Sequence, residues 1–319
     1  MFAQKLRKRI RRFENYELVY TLGILAMNPT IKGRMRQREY EAIWDRLENQ
    51  CAFRIKSLSV EHLIEMAHYF AISNKGTPKF YDELLTEVFD LREELIKQNY
   101  AGVRMLDKMM NAFAIMDVGT SENFYEIAGW IRMFDRENMV TTKGLAKFAN
   151  YFMRITNSIN GGYGIALIAE KKILRDLNMM TFHELCNIID ILSPGNIGST
   201  ELYQKMDEKL LKMIVSYENW EENMINKNQG CHIDYDHSLQ DMQVSITDLI
   251  KIFCSFSTRF FKQRSLIDKL LSLMNKYCEG MSNNQLLKVL TSFVKGRLNH
   301  PALYMKMERE LFTRIETMK

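Results

Sequence analysis

The chain has 319 residues, of which 46% are hydrophobic and only four are proline, so apolar material for an extended core is ample and disorder is not expected. No run of 18 apolar residues occurs, which predicts that nothing spans a membrane, and five cysteines without a CxxC spacing argue against a disulfide framework and for a reducing compartment. The net charge of +5 is uneven: Lys5, Arg7, Lys8, Arg9, Arg11 and Arg12 all fall in residues 1–12, and the remainder of the chain sums to −1.

In chain order, residues 1–14 read as a basic N-terminal arm. Phe2, Leu6, Ile10 and Phe13 recur at helical spacing with cations between them. Such an arm fits an organellar address, a phosphate contact or a solvated first helix. It lacks the apolar stretch and small-residue cleavage site of a secretory signal. Lys32, Arg34, Arg36 and Arg38 extend it, so residues 1–38 hold ten cations against Glu14 and Glu17.

From residue 15 onward one unit recurs. An apolar residue precedes Ser or Thr, three residues intervene, and Leu follows: Leu58-Ser59 to Leu63, Val140-Thr141 to Leu145, Met180-Thr181 to Leu185, Val244-Ser245 to Leu249, and Met281-Ser282 to Leu286. The hydroxyl suits an N-cap, accepting a hydrogen bond from an orphan N–H of the first turn. The apolar residue before it and the Leu after it form a hydrophobic-staple pair, and Glu184 and Gln285 occupy the third position of a capping box. Apolar residues then follow three and seven places after the Leu, as in Leu63, Met66, Phe70 and Leu145, Phe148, Phe152. The series continues in Leu185, Ile188, Leu192; Leu249, Ile252, Phe256; and Leu286, Val289, Phe293. That spacing gathers them on one helical face. Two looser copies have Gly102 at the cap before Leu106, Met109, Phe113, and Glu14 before Leu18, Thr21, Leu25.

A second amphipathic helix is predicted after each first one, over 35–53, 79–97, 121–138, 163–177, 199–218, 265–278 and 301–318. Turns are expected at Asn28-Pro29, Gly76-Thr77-Pro78, Gly161-Gly162, Pro194-Gly195 and His300-Pro301. Successive Leu anchors are 45, 43, 39, 40, 64 and 37 residues apart, and the long step holds an inserted loop at about 219–243. One helix pair cannot bury both of its apolar faces, whereas a stack can. The expectation is an all-α chain: an α-solenoid of about seven helix-hairpin repeats over 15–319.

The unit, clearest at 180–185, 244–249 and 281–286, resembles the degenerate repeats of organellar RNA-associated proteins of the FAST-kinase-like, octotricopeptide and heptatricopeptide type. The chain departs from many of them in ending on a helix, Leu303 to Met318, where they carry a RAP domain with strands. The resemblance implies a mitochondrial (matrix) protein that contacts RNA or sits in an RNA-containing assembly such as the mitochondrial ribosome.

Chemistry-bearing patterns are few. Cys231-His232-x-Asp234-x-Asp236-His237 matches neither a zinc nor an EF-hand spacing and reads as a polar loop. Gly161-Gly162-Tyr163-Gly164 lacks the preceding strand and the Lys-Ser/Thr of a phosphate loop and reads as a hairpin turn. His62 and His68 are six apart, so they do not share a face as a metal pair would. No catalytic residue, metal site or cofactor is expected, and the chain is read as a non-enzyme.

Three functions compete. In the first, the chain is a subunit of a mitochondrial ribonucleoprotein, a ribosomal protein above all. Its solenoid packs on other subunits and the cations of residues 5–12 and 32–38 touch rRNA; Trp220 is a candidate protein-docking anchor, and DNA is not expected. In the second, it is an accessory scaffold of a respiratory or other membrane-bound complex with no RNA role. In the third, Arg104, Lys108, Lys143, Lys147, Lys251, Lys288 and Lys295 line a face that reads single strands, with Glu61 and Glu65 interrupting it.

Overall fold

The structure, a computed structural model, describes residues 6, 8–34, 36–155, 159–227, 244–257, 264–296 and 300–317. Every regular element among them is helical and no strand occurs. The chain divides into two compact units, Met1–Ile165 and Ala166–Lys319.

In the first unit a 3₁₀ turn, Ile10–Arg12, leads into α1 (Asn15–Met27), α2 (Pro29–Arg34) and α3 (Gln37–Arg54). Then come α4 (Val60–Ile72), α5 (Pro78–Asp90), α6 (Arg92–Lys97), α7 (Tyr100–Met116), α8 (Ser121–Arg136) and α9 (Thr142–Arg154). Helix α10 (Ile159–Asp176) contains the boundary between units. The second unit continues with α11 (Phe182–Leu192), α12 (Thr200–Lys227), α13 (Ile246–Ser257), α14 (Arg264–Tyr277), α15 (Asn283–Gly296) and α16 (Pro301–Thr317).

The expected helix starts are present at all five Ser/Thr positions. Ser59, Thr141, Thr181, Ser245 and Ser282 each accept from the backbone N–H three residues on, at 3.0–3.4 Å. Glu184 and Gln285 accept in return from the N–H groups of Thr181 and Ser282, at 2.9 and 2.7 Å. The anchors Leu18, Leu63, Leu106, Leu145, Leu185, Leu249 and Leu286 are all fully buried. Within the first unit α1 packs on α4, α4 on α7 and α7 on α9; within the second, α11 packs on α13 and α13 on α15. The intervening helices pack in the same manner, α3 on α5 in one unit and α12 on α14, then α16, in the other.

A second repeated device joins the helices. In Asn74-Lys75-Gly76-Thr77, Asp117-Val118-Gly119-Thr120 and Asn196-Ile197-Gly198-Ser199, the first residue has φ near +50° and the glycine φ of +92° to +109°. The residue between them donates its N–H to the carbonyl five positions back, that of Phe70, Phe113 or Leu192, which closes the helix end in a Schellman-type bond. The Thr or Ser then caps the next helix. Four residues later an aromatic ring lies under the turn: Tyr81 and Tyr203 donate their hydroxyls to the Lys75 and Ile197 carbonyls at 3.0 and 2.6 Å. Phe124 fills the same place below Gly119, where a Cβ would come within 2.6 Å of the ring.

Four expectations need correction. Gly161 and Gly162 lie in the first turn of α10 rather than in a hairpin turn. The missing side chains admit neighbours: a Cβ on Gly162 would stand 3.1 Å from Phe152 and one on Gly164 2.4 Å from the Arg132 guanidinium. The helix expected over 79–97 breaks at Leu91 into α5 and α6. Gly102 is not a cap; α7 starts at Tyr100 after Asn99, whose φ is +52°, and Gly102 is buried in its first turn, where a Cβ would lie 2.4 Å from the Leu95 carbonyl oxygen. Finally, α12 continues to Lys227, so 219–227 are helical where a loop was expected. The rest of that insertion lies outside the described residues, as does the Cys231 to His237 run.

Candidate nucleic-acid interface

The sequence holds ten cations near the N-terminus, and local structure decides which are presented. Lys5 and Arg7, and the side chains of Lys32 and Arg34, lie outside the described residues. Lys8, Arg9, Arg11 and Arg12 are exposed. Between them Ile10 is fully buried, so the 3₁₀ turn is pinned to the fold by its one apolar residue. From the end of α3, Arg54 donates to the Phe13 carbonyl, and its second nitrogen reaches the Arg11 carbonyl at 3.3 Å. Asn15 donates to the Ser57 carbonyl at 3.1 Å, and the Glu17 carboxylate accepts from the Glu14 N–H at 2.8 Å. Backbone and apolar groups thus hold the segment, leaving four cationic heads toward solvent. Arg36 and Arg38, at the start of α3, are exposed as well. Arg36 is the N-cap residue, where the helix dipole disfavours a cation, and Glu39 in the first turn offsets this.

The cations of the helical body behave differently. Lys108 on α7 pairs with Glu65 on α4, and Lys147 on α9 pairs with Asp107 on α7, each at 2.9 Å. In the second unit Lys251 donates to Asp248 at 3.1 Å and to Asn187 at 2.9 Å. Counted from the Leu anchors, Glu65, Lys108, Lys147, Asn187 and Lys251 all stand two residues on. The position forms a polar ladder between neighbouring helices rather than a row of free cations. Arg104, Lys143, Lys288 and Lys295 remain exposed.

A further cluster was not picked out from sequence. His183 Nδ1 lies 3.0 Å from Asp248, whose carboxylate is 4% exposed and also accepts from the Ser245 hydroxyl at 2.8 Å. Burial pushes the Asp248 carboxyl up, and hydrogen bonds from His183, Ser245 and Lys251 more than offset it, holding it below its usual range. Cys186 nearby is buried, and burial keeps its thiol protonated. The cluster ties α11 to α13. The available signal was Ser245-x-x-Asp248, a capping-box spacing whose acid faces a histidine on the neighbouring helix.

His68, read only as an unpaired histidine, is half-buried, and burial followed by Lys108 lowers its pKa. Ser121, Glu122, Tyr125, Glu126, Gly129 and Trp130 line an open hollow of about 610 Å³ on α8, acidic and therefore unsuited to phosphate. Trp220 falls within α12, but its side chain lies outside the described residues. No group of three His, Cys, Asp or Glu side chains able to hold a metal occurs among the described residues, and no helix there is long and apolar enough to cross a membrane. No family model matches the chain, and no curated protein matches it by sequence.

Proposed function

We propose that the chain is a non-catalytic α-solenoid, a subunit of a mitochondrial ribonucleoprotein such as the ribosome, that contacts RNA through its N-terminal segment and other proteins through its helices. Seven anchor leucines, all buried, with caps and ladder residues in the same register, support a repeat array. The contrast in cation use carries the RNA assignment. On the helices Lys108, Lys147 and Lys251 are drawn into ion pairs, whereas Lys8, Arg9, Arg11 and Arg12 are exposed together on a segment fixed by Ile10 and Arg54. A cation held in place by its backbone loses little freedom on meeting a phosphate and releases the counterion there. The Arg-rich, acid-poor arm and the repeat resemblance support the mitochondrial setting.

Because Ile10 is part of the core, charge removal is a cleaner test than truncation. Changing Lys8, Arg9, Arg11 and Arg12 together to Gln is expected to weaken RNA binding and to make the slope of log K against log salt shallower by up to about 3 for single strands. Unchanged affinity and slope would defeat the RNA contact.

The second reading, a scaffold in a membrane-bound complex without RNA, is favoured by the internal pairing of Lys108, Lys147 and Lys251, which takes these three cations out of any basic stripe on the helices. Sedimentation with an assembly that survives RNA digestion would support it.

A further inference from the structure

Helix α1 differs from the other anchor helices on one face. Two residues before and two after its anchor Leu18 stand Tyr16 and Tyr20, 64% and 70% exposed. The same two positions hold Glu61 and Glu65 on α4, Arg104 and Lys108 on α7, and Lys143 and Lys147 on α9. In the second unit they hold His183 and Asn187, Thr247 and Lys251, and Asn284 and Lys288. A polar position in six helices is thus a pair of open aromatic rings in the seventh. Ile24 and Met27 continue the exposure along the helix, making a contiguous stripe rather than scattered single residues. Immediately ahead of it lie the exposed Lys8, Arg9, Arg11 and Arg12. The acid between the tyrosines, Glu17, is engaged by the Glu14 N–H at the helix N-terminus.

From this juxtaposition we infer that Tyr16 and Tyr20 are base-stacking platforms for a single-stranded segment of RNA whose phosphates the arm cations hold. The inference rests on the RNA contact proposed above and adds the strandedness of the ligand and the residues that read it. Rings four residues apart on a helix are separated by about 6 Å along its axis. Bases spread apart on a single strand can reach both, whereas bases stacked 3.4 Å apart in a duplex present no free faces. Charge selects the occupant. A second copy of the chain, with a net charge of +5, brings no excess of acid to meet the arm cations. A polyanion meets the exposed Lys8, Arg9, Arg11 and Arg12 just ahead of the rings, and tyrosine offers it a ring without a competing charge.

The test is fluorescence anisotropy of the full chain with a labelled oligo(U) of 12 nucleotides and an RNA duplex of equal length, each over a range of salt. The Y16A/Y20A variant is expected to lose oligo(U) affinity by about tenfold or more. Its salt slope and duplex affinity should match the wild type, and Y16F/Y20F should retain binding. Circular dichroism checks that each variant is folded. Wild-type oligo(U) affinity in Y16A/Y20A, or an equal loss on the duplex, overturns the stacking assignment. If the Lys8, Arg9, Arg11 and Arg12→Gln variant still loses affinity, only the tyrosines are refuted; if it too binds unchanged, or the wild type binds no RNA, the arm contact falls with them. Tyrosine-dependent binding to phosphatidylglycerol vesicles, with oligo(U) binding unaffected by the tyrosines, would assign the face to a lipid surface instead.

Discussion

Asp207 on α12 is a buried acid, 2% exposed, whose Oδ1 has no hydrogen-bond partner among the described residues. Burial, and then the neighbouring Glu208, pushes the carboxyl up to about 7 from an ordinary 3.8. A buried acid with a raised pKa binds its proton more tightly folded than unfolded. Its contribution to stability is therefore full below pH 3.8 and is lost as pH rises toward 7. At about 1.4 kcal/mol per pKa unit, that gap corresponds to roughly 4 kcal/mol. Asp207→Asn removes the titration while keeping the shape. Its amide carries its own unpaired groups, so absolute stability can move either way by about 1–3 kcal/mol, but that offset does not change with pH. Urea unfolding followed by circular dichroism at pH 5, 6, 7 and 8 should show the variant gaining on the wild type from pH 5 to 7 and the gain levelling off by pH 8, with other titrating groups cancelling in the difference. Parallel profiles would refute the assignment of a buried carboxyl with a raised pKa.

Leu106→Ala, in a helix packed between α4 and α9, should cost about 2–5 kcal/mol in chemical denaturation, and a cost under 1 kcal/mol would mean the anchor is not core. Gly102→Ala should destabilise although alanine is by about 1 kcal/mol the better helix former, since the new Cβ meets the Leu95 carbonyl oxygen at 2.4 Å; a raised melting temperature contradicts this contact. Thr181→Ala removes one bond of a reciprocal capping box and should cost about 0.5–2 kcal/mol by urea midpoint, against no change for the exposed Thr247→Ala, whose hydroxyl accepts a surface bond from Gln285.

Helix starts were legible because a cap, a staple and a core stripe are local signals that agree: Thr181, Met180 and Leu185 each point to the same first turn. Helix ends were harder. A turn of the form Asn/Asp-x-Gly-Thr/Ser occurs three times, yet its meaning lies in positive φ at Asn74, Asp117 and Asn196 and in an aromatic ring arriving from the next helix. Glycine misled twice. Gly102 was read as a cap and Gly162 as part of a turn, but both lie within helices at points where another chain segment comes too close for a side chain. Of the candidate interface, the charge excess of the arm could be read directly. The pairing of Lys108 with Glu65 and Lys147 with Asp107 depends on which helices are neighbours, a long-range fact that composition does not carry. The tyrosines on α1 were visible as letters, and only their exposure beside the arm gave them meaning.

Gradient sedimentation of the native protein before and after RNase treatment tests the central claim most directly. The ribonucleoprotein account predicts that the chain leaves a fast-sedimenting fraction once RNA is digested, and that the four-Gln arm variant is depleted from that fraction at the outset. A chain that stays in the fast fraction after complete digestion, with the arm variant beside it, contradicts the account.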